Sequence, residues 1–215
     1  WDGKSKFSLV THHWSSNWMK GFDTYSFIDQ LLNEKNFSDL FSFTYIGNIP
    51  KNFKFKNAKV ISPLSGESLA TELKKYDGYI TGSINEPSGN HHIEAALCGL
   101  PILYLESGGI PEYANGYGLS FSSPKTLEKK ILEFVANYDY YYQNLKSFPY
   151  VSTKMCEDYL VAFNEVLENK EMYLKNRNKP SFSLFKYELF KYNLIKFFFK
   201  TKIFILKIIR GNFEK

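Results

Sequence analysis

Cysteine is scarce: the chain of 215 residues has only 2, Cys98 and Cys156, far apart and outside any Cys-x-x-Cys spacing. That argues against a disulfide framework or a cysteine-built zinc site, and makes a reducing, cytoplasmic setting the default expectation. Long apolar runs are absent too. Lysines interrupt every hydrophobic stretch well short of the ~20 residues a spanning helix requires, so no transmembrane segment is expected. The body of the chain also lacks a basic excess. Although the formal charge is +5, residues 182–215 hold 8 Lys or Arg against 2 Asp or Glu, which leaves 19 basic and 20 acidic residues elsewhere. A folded body with that balance offers no basic face to a nucleic acid, and none is expected as a partner. The chain opens at Trp1, with no initiator Met and no charged leader before an apolar stretch. No signal peptide is expected, and the sequence reads as the back half of a longer protein whose front half carries part of an active site.

What is present fits a globular α/β protein. Hydrophobic residues make up 44% of the chain, enough for a substantial core, and the 18% aromatic content reads as compositional bias rather than chemistry. Short apolar runs at 7–11, 42–46, 59–61, 78–81, 102–105 and 118–121 have the length of buried central strands. Segments 25–35, 68–76 and 90–98 between them have helical length and apolar spacing, and Ser65-Gly66-Glu67-Ser68 supplies capping-type residues before the second. This alternation predicts a Rossmann-like parallel sheet with helices on both faces. Helices at 125–145 and 153–169 follow Pro124. The expected organisation is a domain over 1–170, a polar connector over 171–181, and a basic amphipathic helical tail over 182–215.

The segment Glu86-Pro87-Ser88-Gly89-Asn90-His91-His92-Ile93-Glu94 sets one carboxylate in the loop after a strand and a second about two helical turns on, so that both can face one extended ligand. Alone, two glutamates at this spacing are better explained as solvated helix charges. Ligands of open α/β sheets bind outside the carboxyl ends of the strands, and the loop over 86–90 is placed there. Gly89 lets backbone approach a ligand closely, and Pro87 stiffens the approach. Gly108 and Gly109 follow a strand and precede a short helix, a setting for a diphosphate or simply for a tight turn. Glu112 reads as a helix-start charge. His12 and His13 end the first strand at the same edge and point to opposite faces, so one is expected to be structural and the other to touch phosphate or acceptor. His91 and His92 are ambiguous. With no Asp or Glu at matching ligand spacing, no metal is expected.

Four pieces in order, Lys20-Gly21 after the first strand, the Asp77 segment, the paired glutamates and Gly108-Gly109-Ile110-Pro111-Glu112, make residues 7–122 resemble a known family. It is the C-terminal, donor-binding domain of GT-B retaining glycosyltransferases (glycosyl transferases group 1 type), which includes sucrose, mannosyl and many polysaccharide transferases. The resemblance implies one half of a GT-B fold and transfer of a hexose, with retention, from a nucleotide diphosphate sugar to a glycan or lipid-linked acceptor. The donor is a co-substrate, and no cofactor is implied. Glu86 and Lys20 would be the catalytic residues, Glu86 on hexose hydroxyls and Lys20 on the departing diphosphate, where a fixed cation stabilises developing charge. Glu94 would hold the ribose, and Gly89, Asn90, His91, Gly108, Gly109 and His13 would complete the donor site. Two departures stand out. The arginine common several residues before the lysine is missing from Trp14-Ser15-Ser16-Asn17-Trp18-Met19, and Ser88 replaces a bulky apolar residue. A sugar-nucleotide-binding module without transfer activity therefore remains an alternative, as does a membrane-associated scaffold.

The tail motivates the last reading. Wound as a helix, it places Tyr187, Phe190, Leu194, Phe197, Phe198, Thr201, Ile205 and Ile208 on one sector free of charge. Such a helix can lie in an anionic lipid interface on the inner face of a membrane, each nearby lysine contributing about 1 kcal/mol. The alternative is packing against a preceding domain.

Overall fold

The computed structural model describes residues 1–177 and 181–211, with side chains as far as residue 202. Expectations for the side chains of Ile205 and Ile208 fall outside the described side chains, and the part of the connector at 178–180 falls outside the described residues. The chain divides into two units, Trp1–Glu157 and Asp158–Lys215.

The first unit is built on a six-stranded parallel sheet: β1 (Phe7–His13), β2 (Phe41–Gly47), β3 (Lys59–Ile61), β4 (Gly78–Thr81), β5 (Ile102–Leu105) and β6 (Gly118–Phe121). Their spatial order is β3-β2-β1-β4-β5-β6, with every pair parallel. The Rossmann-like expectation is met, including the position of each strand. Successive strand residues feed opposite cores because side chains alternate across a sheet. Leu9, Phe43, Tyr45, Ile80 and Leu103 point to one face, and Val10, Ile46, Tyr79 and Ile102 to the other.

The first face is covered by α1 (Phe22–Leu31), which buries Phe22, Tyr25, Ile28 and Leu31, and by α6 (Pro124–Ala136), which buries Leu127, Ile131, Phe134 and Val135. The other carries α3 (Gly66–Leu73), α4 (Asn90–Leu97) and α5 (Ile110–Ala114) through Leu69, Leu73, Ala95, Ala96, Ile110 and Ala114. Two helical segments are broken where the sequence predicts continuity. The run at 25–35 ends at Leu31, where the Asn33 amide takes the carbonyl of Gln30, and α2 (Lys35–Leu40) starts afresh. The run at 125–145 is split at Asn137, whose side chain donates to the Glu133 carbonyl at 2.8 Å, leaving α7 (Tyr138–Leu145) as a separate helix. In both places an asparagine competes for a helix carbonyl and stops propagation.

Asp77 joins the amino ends of β1 and β4. Its carboxylate accepts from the Ser8 amide at 2.8 Å and the Ser8 hydroxyl at 2.5 Å, while its own amide donates to Ser8 Oγ at 3.0 Å. Asp29 on α1 fastens the loop before β3 by accepting from the amides of Lys56, Asn57 and Ala58 at 2.8, 2.9 and 2.7 Å. These locks leave the strand order reversing between β1 and β4, the topological switch point at which open sheets of this kind form a crevice.

The division between units falls within α8 (Ser152–Glu168). In the second unit, α9 (Lys170–Asn176) makes much of the expected connector helical, and α10 (Phe182–Gly211) is a single helix of 30 residues. Side chains 182–200 of α10 are all exposed, among them Phe182, Phe185, Phe190, Phe197, Phe198 and Phe199. No helix among the described residues is long and apolar enough to cross a membrane.

Candidate functional site

The carboxyl ends of β1 and β2, at His12, His13 and Ile46, open onto a cleft of about 370 Å³. One wall is the end of β1 with its following loop (His12, His13, Trp14, Ser15, Lys20). The other is the loop after β3 and the start of α3 (Pro63, Leu64, Ser65, Gly66, Leu69), while His91 and Glu94 of α4 contribute a third side. Lys20 is the single cation lining it among the described residues.

Close backbone packing sets Lys20 in place. It ends a short 3-10 turn, Trp18–Lys20, and Gly21 follows with φ +102. A Cβ on Gly21 would lie 2.5 Å from the carbonyl carbon of Gly82, so only glycine lets the turn settle onto the end of β4. The Ile84 amide donates to the Met19 carbonyl at 2.8 Å, tying this turn to the loop that carries Glu86. On its far side that loop rests on the turn after β5. Asn85, at φ +52, donates its amide to Ser107 Oγ at 2.9 Å, and Gly109 donates its amide to the Glu86 carbonyl at 2.8 Å. Gly108, at φ +63, passes so near that a Cβ there would sit 2.3 Å from the Glu86 carbonyl oxygen. Gly108 and Gly109 thus act here as a bed for the Glu86 loop.

In this arrangement the Lys20 ammonium pairs with Glu86 Oε2, with 28% and 15% of the two side chains exposed. Glu94, half exposed on α4, accepts from His12 Nε2 at 2.9 Å. That bond holds the Glu94 carboxyl below the usual carboxylate range, against the opposing effect of partial burial. Gly89 is the N-cap of α4 and, having no side chain, leaves the first amides of the helix without a side-chain cap, the arrangement that favours an anion.

The histidines sort by face. His12 turns to the α4 side, edge-on to Tyr79 with ring centroids 5.5 Å apart. His13 turns to α1, where its Nε2 lies 2.6 Å from the Tyr25 hydroxyl. Thr11 Oγ1 and the Gly82 amide already donate to that phenol oxygen, so its own proton goes to His13. Burial keeps His13 neutral, well below the ordinary histidine range, with neighbouring His12 and Lys20 adding to the effect, and raises Tyr25 to about 12. His91 Nε2 lies 3.0 Å from Thr81 Oγ1, its ring 4.8 Å from that of His13, and burial first and then neighbouring His13 depress it likewise. His92 is fully buried beside Tyr113, and burial lowers it to about 4; neither ring nitrogen has a hydrogen-bond partner among the described residues. No group of three or more His, Cys, Asp or Glu side chains among the described residues is arranged to hold a metal ion.

Of the residues singled out in the sequence, Lys20, His13, His91 and Glu94 line the cleft. His13 and His91 are nonetheless more than nine-tenths buried. Glu86 does not line it directly; its carboxylate joins through Lys20. Gly89 lies beside Glu86 and His91, Asn90 opens α4, and Gly108 and Gly109 lie under the loop. Residue type and order alone do not single out His12 or the wall 63–69. That wall was open to inference, because the loop after every parallel strand emerges at the same edge.

No protein-family model and no curated protein matches the chain. Solved structures do. The pneumococcal O-GlcNAc transferase GtfA, determined with UDP and GlcNAc, is 18% identical over 77% of this chain and 37% of its own, with a TM-score of 0.55. WaaG, a glycosyltransferase involved in lipopolysaccharide biosynthesis, is 15% identical over 66% of this chain and 41% of its own, with a TM-score of 0.54. Sucrose-phosphate synthase from Thermosynechococcus elongatus is 15% identical over 77% and 47%, with a TM-score of 0.54. The chain thus spans less than half the length of each, and at these identities the likeness is one of fold. A six-stranded parallel sheet in the order β3-β2-β1-β4-β5-β6 is, in these terms, the fold of one half of a GT-B glycosyltransferase.

Proposed function

We propose that this chain is the donor-binding half of a retaining glycosyltransferase that moves a hexose from a nucleoside diphosphate sugar to a glycan or lipid-linked acceptor. The observation that carries the reading is the convergence of the Lys20–Glu86 pair and Glu94 on one cleft edge, next to the uncapped start of α4. Glu94 would accept from ribose hydroxyls. The diphosphate would draw the Lys20 ammonium away from Glu86, and Glu86, so released, would accept from hexose hydroxyls. As the glycosidic bond breaks through an oxocarbenium-like state, negative charge builds on the leaving diphosphate, where Lys20 and the α4 amides stabilise it. The greater length of the solved neighbours supports a second half that brings the acceptor and its positioning groups.

Calorimetric titration with UDP, GDP and ADP sugars tests this. Binding of at least one of them is expected, weakened tenfold or more by Glu94→Ala. No binding by any, or binding indifferent to Glu94, refutes the donor site. A second reading, a sugar-nucleotide-binding module without transfer, is favoured by Lys20 being the only cation on the cleft among the described residues. It is distinguished by donor binding without turnover when the chain is assayed together with whatever precedes it in its reading frame. The exposed Phe and Lys side chains of α10 support a peripheral position on an anionic membrane surface.

A further inference from the structure

We infer that His12 is the positioning residue of the ribose subsite: it fixes one oxygen of Glu94 so that the other is presented to the donor. The inference rests on the donor-site reading above and adds to it a residue whose role is separable from that of Glu94.

The two ends of this contact are unequal. Glu94 stands on α4 with half its side chain in solvent, where an unrestrained carboxylate samples several rotamers. His12 is 7% exposed and its backbone is clasped by a single phenol: the Tyr79 hydroxyl lies 3.2 Å from the His12 amide nitrogen and 3.3 Å from its carbonyl oxygen. The Tyr79 ring also packs edge-on to the imidazole. The fixed partner therefore dictates the position of the mobile one.

The hydrogen-bonding capacity of the pair completes the argument. An ionised carboxylate only accepts, so the proton of the 2.9 Å contact is on His12 Nε2. His12 Nδ1 is buried without a hydrogen-bond partner among the described residues, so Nε2 makes the one hydrogen bond of the ring there. Glu94 Oε2 is occupied by that donor, whereas Oε1 has no hydrogen-bond partner among the described residues, and the side chain lines the cleft. A single free carboxylate oxygen held at fixed orientation suits a pair of vicinal hydroxyls. A freely rotating carboxylate would have to lose that rotational freedom on binding.

The test compares His12→Gln with His12→Asn. Glutamine carries its amide donor about as far from the backbone as imidazole Nε2, and asparagine falls short; both are polar and of similar volume class, so packing effects are shared. UDP, GDP and ADP are titrated against their 2′,3′-dideoxy forms, with thermal melting as the check on folding. The natural protein should prefer the ribose form by about tenfold or more, as should His12→Gln. In His12→Asn and Glu94→Ala the preference should fall to within twofold of unity. The inference is overturned if His12→Asn keeps the preference while Glu94→Ala loses it, or if His12→Gln loses it as fully as His12→Asn. Should Glu94→Ala keep both affinity and preference, the donor-site reading itself fails, a result distinct from the other two.

Discussion

Gly108→Ala isolates how the Glu86 loop is held. A Cβ at this position would lie 2.3 Å from the Glu86 carbonyl oxygen and 2.6 Å from its amide nitrogen, where real Cβ contacts stay beyond 3.0 Å. The obstructing atoms are backbone and cannot rotate aside, so the loop must retreat by about 0.7 Å, the difference between those separations. That displacement stretches the 2.8 Å hydrogen bond from the Gly109 amide to the same carbonyl. Alanine at φ +63 costs about 1–2 kcal/mol and the weakened hydrogen bond about 1 more, giving a loss of roughly 2–3 kcal/mol. For a domain of this size that is a fall in Tm of about 5–10 °C. Gly116→Ala is the control, because Gly116 has φ +86 and nothing within 4 Å of its Cβ, and so pays backbone strain alone. Melting should rank natural protein above Gly116→Ala above Gly108→Ala, and only Gly108→Ala should weaken nucleotide-sugar binding. Equal melting of the two variants, together with unaltered donor affinity in both, would refute the reasoning.

Acid should destabilise the fold in two separate windows. Burial holds His13, His91 and His92 below their unfolded values, so the unfolded chain takes up their protons first and stability falls as pH drops below about 6.5, by up to about 1.4 kcal/mol per pH unit for each. Glu94, whose folded pKa is lowered, contributes stability that is present above its unfolded value and is lost only as pH falls further, below the ordinary carboxylate range. Denaturant midpoints unchanged between pH 7.5 and 5.5 would contradict the first window. Asp29→Ala leaves three loop amides short of their acceptor and should cost about 2–4 kcal/mol by urea unfolding, with a loss below 1 kcal/mol counting against the lock. Co-sedimentation with anionic vesicles should weaken about thirtyfold when Lys196 and Lys200 are both changed to Ala, at about 1 kcal/mol per lysine. Equal binding to purely zwitterionic vesicles would dismiss the electrostatic attachment.

The strands were legible because central parallel strands are buried on both faces and so read as short continuous apolar runs. Tyr79-Ile80 and Ile102-Leu103 each feed two cores at once. Helix limits were less legible. Asn33 and Asn137 stop helices by bonding to a carbonyl three or four residues back, an effect that apolar spacing does not register. The paired glutamates and Lys20 could be picked out by type and order. Their partners could not, since Lys20–Glu86 and His12–Glu94 join residues 66 and 82 positions apart, and only the β1/β4 adjacency brings them together. Glu86 also stands behind Lys20 rather than on the cleft wall, a consequence of that ion pair.

The Lys20–Glu86 pair makes the resting site its own counter-ion. A bare anion such as free phosphate can engage the ammonium only by stranding a carboxylate that is mostly shielded from water, and a neutral sugar faces the mirror-image penalty. A molecule that brings negative charge and hydroxyl groups together relieves both at once. At a cleft that takes the proposed donor, simple anions would in this way be turned away without any steric barrier, through a logic of simultaneous supply.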